Sequence, residues 1–81
     1  MYQTTGRTVA ENLSEQFAMK EVMSNPHPKL NGATVLEDLI MTDKRWPSTE
    51  GWFKVTKNVN GVEIHYVWNE VLNVFDDFKF K

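Results

Sequence analysis

The 81-residue chain reads as one α+β domain, two N-terminal helices packed on an antiparallel meander of three strands, or four. Two observations predict this. Apolar residues recur at helical spacing up to about residue 40 and then at alternate positions after Gly51. Clusters of Pro, Asn and Gly punctuate both halves where the chain must turn.

Residues 1–7 are polar and aperiodic, which predicts a frayed lead-in and leaves 8–81 as the domain. A helix is expected over 8–24. Thr8 with Glu11 makes a capping-box pattern, and Ser14 offers a competing start. Ala18, Met19, Val22 and Met23 share a face that Leu13 and Phe17 extend. Asn25-Pro26 ends the helix, because a residue before proline avoids the α region. Residues 25–33 hold two prolines and a glycine and predict a loop. Thr34 with Glu37 repeats the capping box. Val35, Leu36, Leu39 and Ile40 then predict a second helix of about two turns. Residues 42–51 are a polar connection.

Strands are expected at 52–57, 62–68 and 74–81. The turn 58–61 ends in Asn60-Gly61, which supplies the positive φ values of a hairpin. Successive strand side chains point to opposite faces. Val62, Ile64, Tyr66 and Trp68 therefore share an inner face, with Phe53, Val55, Val74, Phe78 and Phe80. Lys54, Thr56, Glu63, His65, Val67, Phe75, Asp77, Lys79 and Lys81 fall outside, flanked by Trp52. Asp76 is phased inward with the phenylalanines, which points to a bulge or a pairing with Arg45.

Composition bounds the function. Three Trp, five Phe and two Tyr can fill a compact core. With no Cys, disulfides, thiolate metal sites and cysteine catalysis are excluded. No apolar run approaches the roughly 18–20 residues of a membrane span, and the N-terminus does not read as a signal peptide. The net charge of −2 argues against a generally basic nucleic-acid binder. The second half carries six cations and six carboxylates, so a local basic patch is compatible with it.

His65 is the sharpest chemical candidate, since an imidazole titrates near pH ~6.5 and suits acid–base work. Set against this is an exposed strand histidine with no task. Glu63 lies on the same strand face, and the pair can take a proton from a ribose 2′-hydroxyl and return one to a leaving 5′-oxygen. The plainer alternative is a cross-strand ion pair of Glu63 with Lys54 or Lys79. Those lysines either neutralise a phosphate or protect a sheet edge from aggregation. Arg45 suits bidentate phosphate contact and Trp46 suits base stacking; the alternative is a buried Trp anchor beside a salt-bridged Arg. Trp52 offers a second stacking surface. His27 reads as a loop residue. No zinc spacing or phosphate-loop motif is present, so no metal or cofactor is expected.

Three segments carry a resemblance: Gly51-Trp52-Phe53-Lys54, Asn60-Gly61-Val62-Glu63-Ile64-His65-Tyr66-Val67 and Asp76-Asp77-Phe78-Lys79-Phe80-Lys81. Ser14-Glu15-Gln16 and Asp43-Lys44-Arg45-Trp46 fit the same picture. In this order they resemble the C-terminal toxin domains of bacterial polymorphic toxins. Such domains end contact-dependent inhibition, filamentous haemagglutinin-like, LXG and Rhs-type chains. The likeness spans about residues 12–81, and its size and layout resemble the barnase, EndoU, colicin and RelE ribonuclease group.

The resemblance implies a metal-independent ribonuclease acting on tRNA or other RNA, with His65 as acid or base and Lys54 on the phosphate. Asp77 and Lys79 complete the site, beside Glu63, Thr56, Trp52 and Arg45. It also implies a cognate immunity protein, with a host translation factor as a further candidate partner. Export would occur within a larger toxin or effector, for delivery to the target-cell cytoplasm. That ribonuclease group has four strands and is usually basic, whereas three strands and a negative charge are read here. Two other readings stand beside it. One is a non-enzymatic binding module, such as an immunity or adaptor protein, binding through Trp52 or Trp46. The other is a metal-dependent deoxyribonuclease toxin holding its ion on Glu63, Asp76 and Asp77.

Overall fold

A computed structural model describes residues 6–81. Helix α1 spans Leu13–Ser24. Its cap is Asn12, not Thr8 or Ser14: the Asn12 side chain accepts from the Glu15 amide at 2.9 Å. Glu15 in turn accepts from the Glu11 amide at 2.8 Å. This is the reciprocal logic of a capping box, begun later than the sequence spacing suggested. Ala18 and Val22 are buried against the sheet with Met19 beside them, while Leu13, Phe17 and Met23 are exposed. The helix ends at Asn25, which leaves the α region before Pro26, as expected.

The expected loop at 25–33 contains a short helix, α2, at Pro28–Asn31. His27 caps it, with Nδ1 accepting from the Lys29 amide at 3.2 Å. Its ring lies 5.1 Å from Trp68 and 6.2 Å from Phe75, so His27 packs against the sheet. The Tyr66 hydroxyl pins this segment. It donates to the Pro26 carbonyl at 2.6 Å and accepts from the Asn31 amide at 3.1 Å.

The second helix expected at 34–40 is absent. Thr34–Leu36 is strand β1, antiparallel to β2, Trp52–Val59. Thr34 and Val35 are β-branched and fit a pleat, and the open edge of β2 offers backbone partners that an isolated two-turn helix lacks. β3 spans Val62–Asn69 and β4 spans Val74–Phe80. The sheet has four strands in the order β1-β2-β3-β4. The expected α+β class holds, with the second helix and the fourth strand redistributed between 28 and 36.

The β2–β3 turn is tighter than expected. Val59 still pairs with Val62, leaving Asn60 and Gly61, at φ 50° and 87°, as a two-residue turn. The β3–β4 loop is organised by Asn69, whose buried side chain accepts from the amides of Val71 and Leu72 and donates to the Glu50 carbonyl.

β4 corrects the facing of its first residues. The register shifts between His65 and Val67, and Asp77 sits at φ 56°. Such a bulge gives one strand an extra residue, so the alternation reverses across it. Phe78 and Phe80 point inward as expected. Upstream of the bulge, Phe75 pairs with Trp68 and packs on the core, while Val74 pairs with Asn69 and is exposed. Asp76 thereby escapes the apolar face.

The main core lies between α1 and the sheet: Val55, Ile64, Tyr66, Trp68 and Phe80 with Ala18 and Val22. A second, smaller cluster of Met41, Trp46 and Val67, edged by Trp52, lies on the opposite face. It is closed by the connection from Met41 to Gly51, which crosses that face as a strap and contains a 3-10 turn at Ser48–Glu50. Met41 and Ser48 hold the strap in shape, by a Met41 amide to Ser48 hydroxyl bond at 2.7 Å and a Ser48 amide to Met41 carbonyl bond at 3.0 Å. Arg7 lies in the expected lead-in yet is fixed. Its carbonyl accepts from the Phe80 amide at 2.7 Å, and its guanidinium reaches Glu15 at 2.6 Å and lies 5.1 Å over the Phe80 ring. Among the described residues, no helix is long and apolar enough to cross a membrane.

Candidate functional site

Residues paired across an antiparallel sheet share a face, so the register places the site. Thr56, His65 and Lys79 form one row over β2, β3 and β4. Lys54, Val67 and Asp76 form another. Glu63 lies one step further along β3, on the same side as His65. The seven candidate site residues other than Arg45 therefore belong to, or border, one sheet face.

The structure brings Glu63 and His65 into direct contact, Oε2 to Nε2 at 2.7 Å. The Lys81 ammonium stands 3.5 Å from the same oxygen. The hydrogen bond from His65, followed by the charge of Lys81, holds the Glu63 carboxyl below its ordinary pKa. The imidazole side chain is 18% exposed and the carboxylate 37%, so this pair opens to solvent. The expected ion pair of Glu63 with Lys54 or Lys79 is replaced by one with His65 and Lys81.

Asp77 and Lys79 also meet, Oδ2 to Nζ at 2.9 Å. Both lysines on this face, expected at the surface, lie beneath it: Lys54 is 0% exposed and Lys79 2%. Met41 and Trp46 of the strap pack against Val67, the neighbour of Lys54 in its row. Burial, reinforced by the charge of Lys79 and only partly offset by Asp77, lowers the Lys54 ammonium from 10.5 to about 7.

Trp46 follows the plainer of its two sequence readings. It is buried, its indole N–H donates to Asp76 at 3.1 Å, and Arg45 stacks 4.1 Å over its ring. Arg45 forms a salt bridge with Asp43 at 2.8 Å, not with Asp76. That contact holds Asp43 down to about 2. Trp52 packs half-buried against the same cluster, four residues and so about 13 Å along β2 from Thr56. It is not placed to stack a base beside His65. Among the described residues, no three His, Cys, Asp or Glu side chains converge as a metal site. Glu63, Asp76 and Asp77, the trio a metal-dependent deoxyribonuclease requires, go separately to His65, Trp46 and Lys79.

A cleft of about 410 Å³ adjoins the Glu63–His65 pair at the end of the sheet, with Glu63 and Lys81 in its wall. Lys81 was phased outward by alternation, but its convergence with Arg7 and Ser14 from the other end of the chain has no local signal. Comparison with protein-family models, curated proteins and solved structures finds no match to this chain.

The depressed Lys54 has a consequence for stability. Unfolded, the ammonium titrates at its ordinary 10.5; folded, at about 7. Between those values the unfolded chain binds more protons, so stability from this group rises with pH across that window. Below it the full penalty of a buried charge is present. Lys54→Met is expected to stabilise the fold by about 1–4 kcal/mol near pH ~6, as replacement of buried charges by apolar groups commonly does. The advantage shrinks toward pH ~10. Urea unfolding of both proteins at the two pH values measures this, and a gain that does not shrink with pH refutes the burial of a charge as its source.

Proposed function

We propose that this domain is the catalytic tip of an antibacterial toxin that cleaves RNA without a metal ion, His65 being its proton-transfer group and Glu63 the group that orients it. The observation that carries the reading is the 2.7 Å Glu63–His65 contact on a solvent-reaching sheet face. The sequence resemblance and the four-stranded sheet support the same choice.

The chemistry follows from the geometry. Glu63 occupies Nε2 of His65, which leaves Nδ1 as the working nitrogen. Nδ1 takes the proton of a ribose 2′-hydroxyl while the 2′-oxygen attacks phosphorus. The bond from phosphorus to the 5′-oxygen breaks, and the same proton passes from the imidazolium to that oxygen. The products are a 2′,3′-cyclic phosphate and a 5′-hydroxyl. The ionised Glu63 stabilises the transient imidazolium. Lys79, next to His65 in its row, and Lys54 lie beneath the face. Asp77 offsets the charge of Lys79 and burial weakens that of Lys54, so they do not grip the phosphate as the sequence reading had it. A cognate immunity protein acts by covering this face. For the binding-module reading, Trp46 is too buried to serve as a contact residue, while Trp52 is half-buried.

The test is total RNA incubated with purified wild type and His65→Ala in the presence of a chelator. Wild type is expected to release fragments with cyclic-phosphate ends that the variant does not produce. Intact RNA from a folded wild type, or equal cleavage by both proteins, overturns the reading.

A further inference from the structure

A cleft lies where the two ends of the described chain meet. The start of α1 and Arg7 form one side, and the β2–β3 turn with the end of β4 forms the other. Its volume is about 410 Å³. Ligand-binding clefts run from roughly 300 to 1,000 Å³, so this one suits a single nucleotide and not a base pair.

Its two cations differ in kind. Arg7 is committed: two carboxylates, Glu15 at 2.6 Å and Glu11 at 2.9 Å, hold its guanidinium. It serves as a fixed wall. Lys81 is the more loosely held. Its side chain is 71% exposed and stands 3.5 Å from Glu63, beyond the 2.7–2.9 Å usual for a strong charge-assisted bond. Exchange of that loose contact for a phosphate costs little. At the lip, Gly61 leaves the entrance open, since a Cβ there would meet nothing within 4 Å. Glu63 belongs both to the cleft and to the contact with His65.

We propose that this cleft is a subsite for one unpaired ribonucleotide, with its phosphate on Lys81 and its sugar against Ser14 and Glu63. The inference rests on the ribonuclease reading and narrows its substrate to single-stranded or looped RNA. A nucleotide seated here delivers the neighbouring phosphodiester to the His65 imidazole. A duplex does not fit, because its bases are stacked and paired on both sides.

The experiment measures binding of a labelled unpaired RNA hexamer to His65→Ala protein, alone and combined with Lys81→Ala or Ser14→Tyr, across a salt series. Both added substitutions are at exposed positions, and circular dichroism checks their folding. Each is expected to weaken binding about tenfold. Lys81→Ala should also reduce the slope of log affinity against log salt by roughly 0.7, the loss of one phosphate contact on a single strand. Pairing the hexamer with its complement should remove the dependence on both residues. Unchanged affinity in the two folded variants, or equal binding of the duplex, overturns the subsite. With His65 intact, RNA cleavage with unaltered KM in the Lys81→Ala and Ser14→Tyr variants rejects the cleft alone. A wild type that leaves RNA intact rejects the cleavage reading, while the binding series still decides the cleft.

Discussion

His65→Ala is expected to lower the turnover of RNA cleavage by about 10²–10⁴-fold, the usual contribution of a positioned acid–base group. Its effect on KM should be small, because the imidazole acts on protons and not on the bulk of the substrate. The side chain is neither in the apolar core nor under the strap, so the fold should survive. Glu63→Gln probes the partner. Glutamine keeps the shape but removes the charge that stabilises the imidazolium, and its amide can present N–H where Nε2 now faces an oxygen. A smaller loss than for His65→Ala is expected, again in kcat. Single-turnover cleavage of a defined RNA by the three proteins measures both. An undiminished rate in His65→Ala removes the residue from the chemistry.

Trp46→Ala is expected to cost about 3–5 kcal/mol, the range for deleting a large buried aromatic. In a domain of this size that is a large share of a total near 5–15 kcal/mol. Two losses combine: the packing with Met41 and Val67, and the indole N–H bond to Asp76. Trp46→Phe separates them, since it keeps an aromatic body and drops the donor at a cost of about 1–3 kcal/mol. The strap over Lys54 gives a second readout. If the strap is what dries the ammonium, the pKa of Lys54 should climb from about 7 toward 10.5 in Trp46→Phe, and further in Trp46→Ala if that variant folds. Urea melts with side-chain NMR titration report both quantities. A Lys54 pKa that stays near 7 in the variants assigns the drying to the sheet and not to the strap.

Much of the fold was legible because its signals are local. The alternation around Ile64, Tyr66 and Trp68 and the Asn60-Gly61 turn fix the central hairpin through residues adjacent in sequence. Pro26 fixes the helix end in the same way. What stayed hidden depends on distant partners. Thr34 and Glu37 have capping-box spacing, yet the free edge of β2 decided that stretch, and no local rule sees that edge. Asp77 adopts positive φ without being glycine, so the bulge was signalled only by the awkward inward phase of Asp76, and nothing in the sequence showed that it would turn Phe75 inward. The site was half legible for the same reason. Glu63 and His65 are two residues apart on one strand, and period two alone predicts their meeting. Met41 and Trp46, which pack on Val67 beside Lys54 in its row, lie in a segment with no periodicity to show that it folds back over the sheet.

The strand order has a kinetic consequence. Every sheet neighbour is also a neighbour in sequence, β1 to β2 to β3 to β4. Assembly therefore closes short loops first, and the entropy of each closure is small. Such a chain lies toward the faster end of sheet-containing folds, where many contacts are local. The hairpin of two eight-residue strands can form before α1 finds its seat, and docking of α1 then completes the core from one side. In this order the central hairpin waits for no distant strand, and the pairing of Arg7 with Phe80, which joins the two ends of the described chain, is the longest closure.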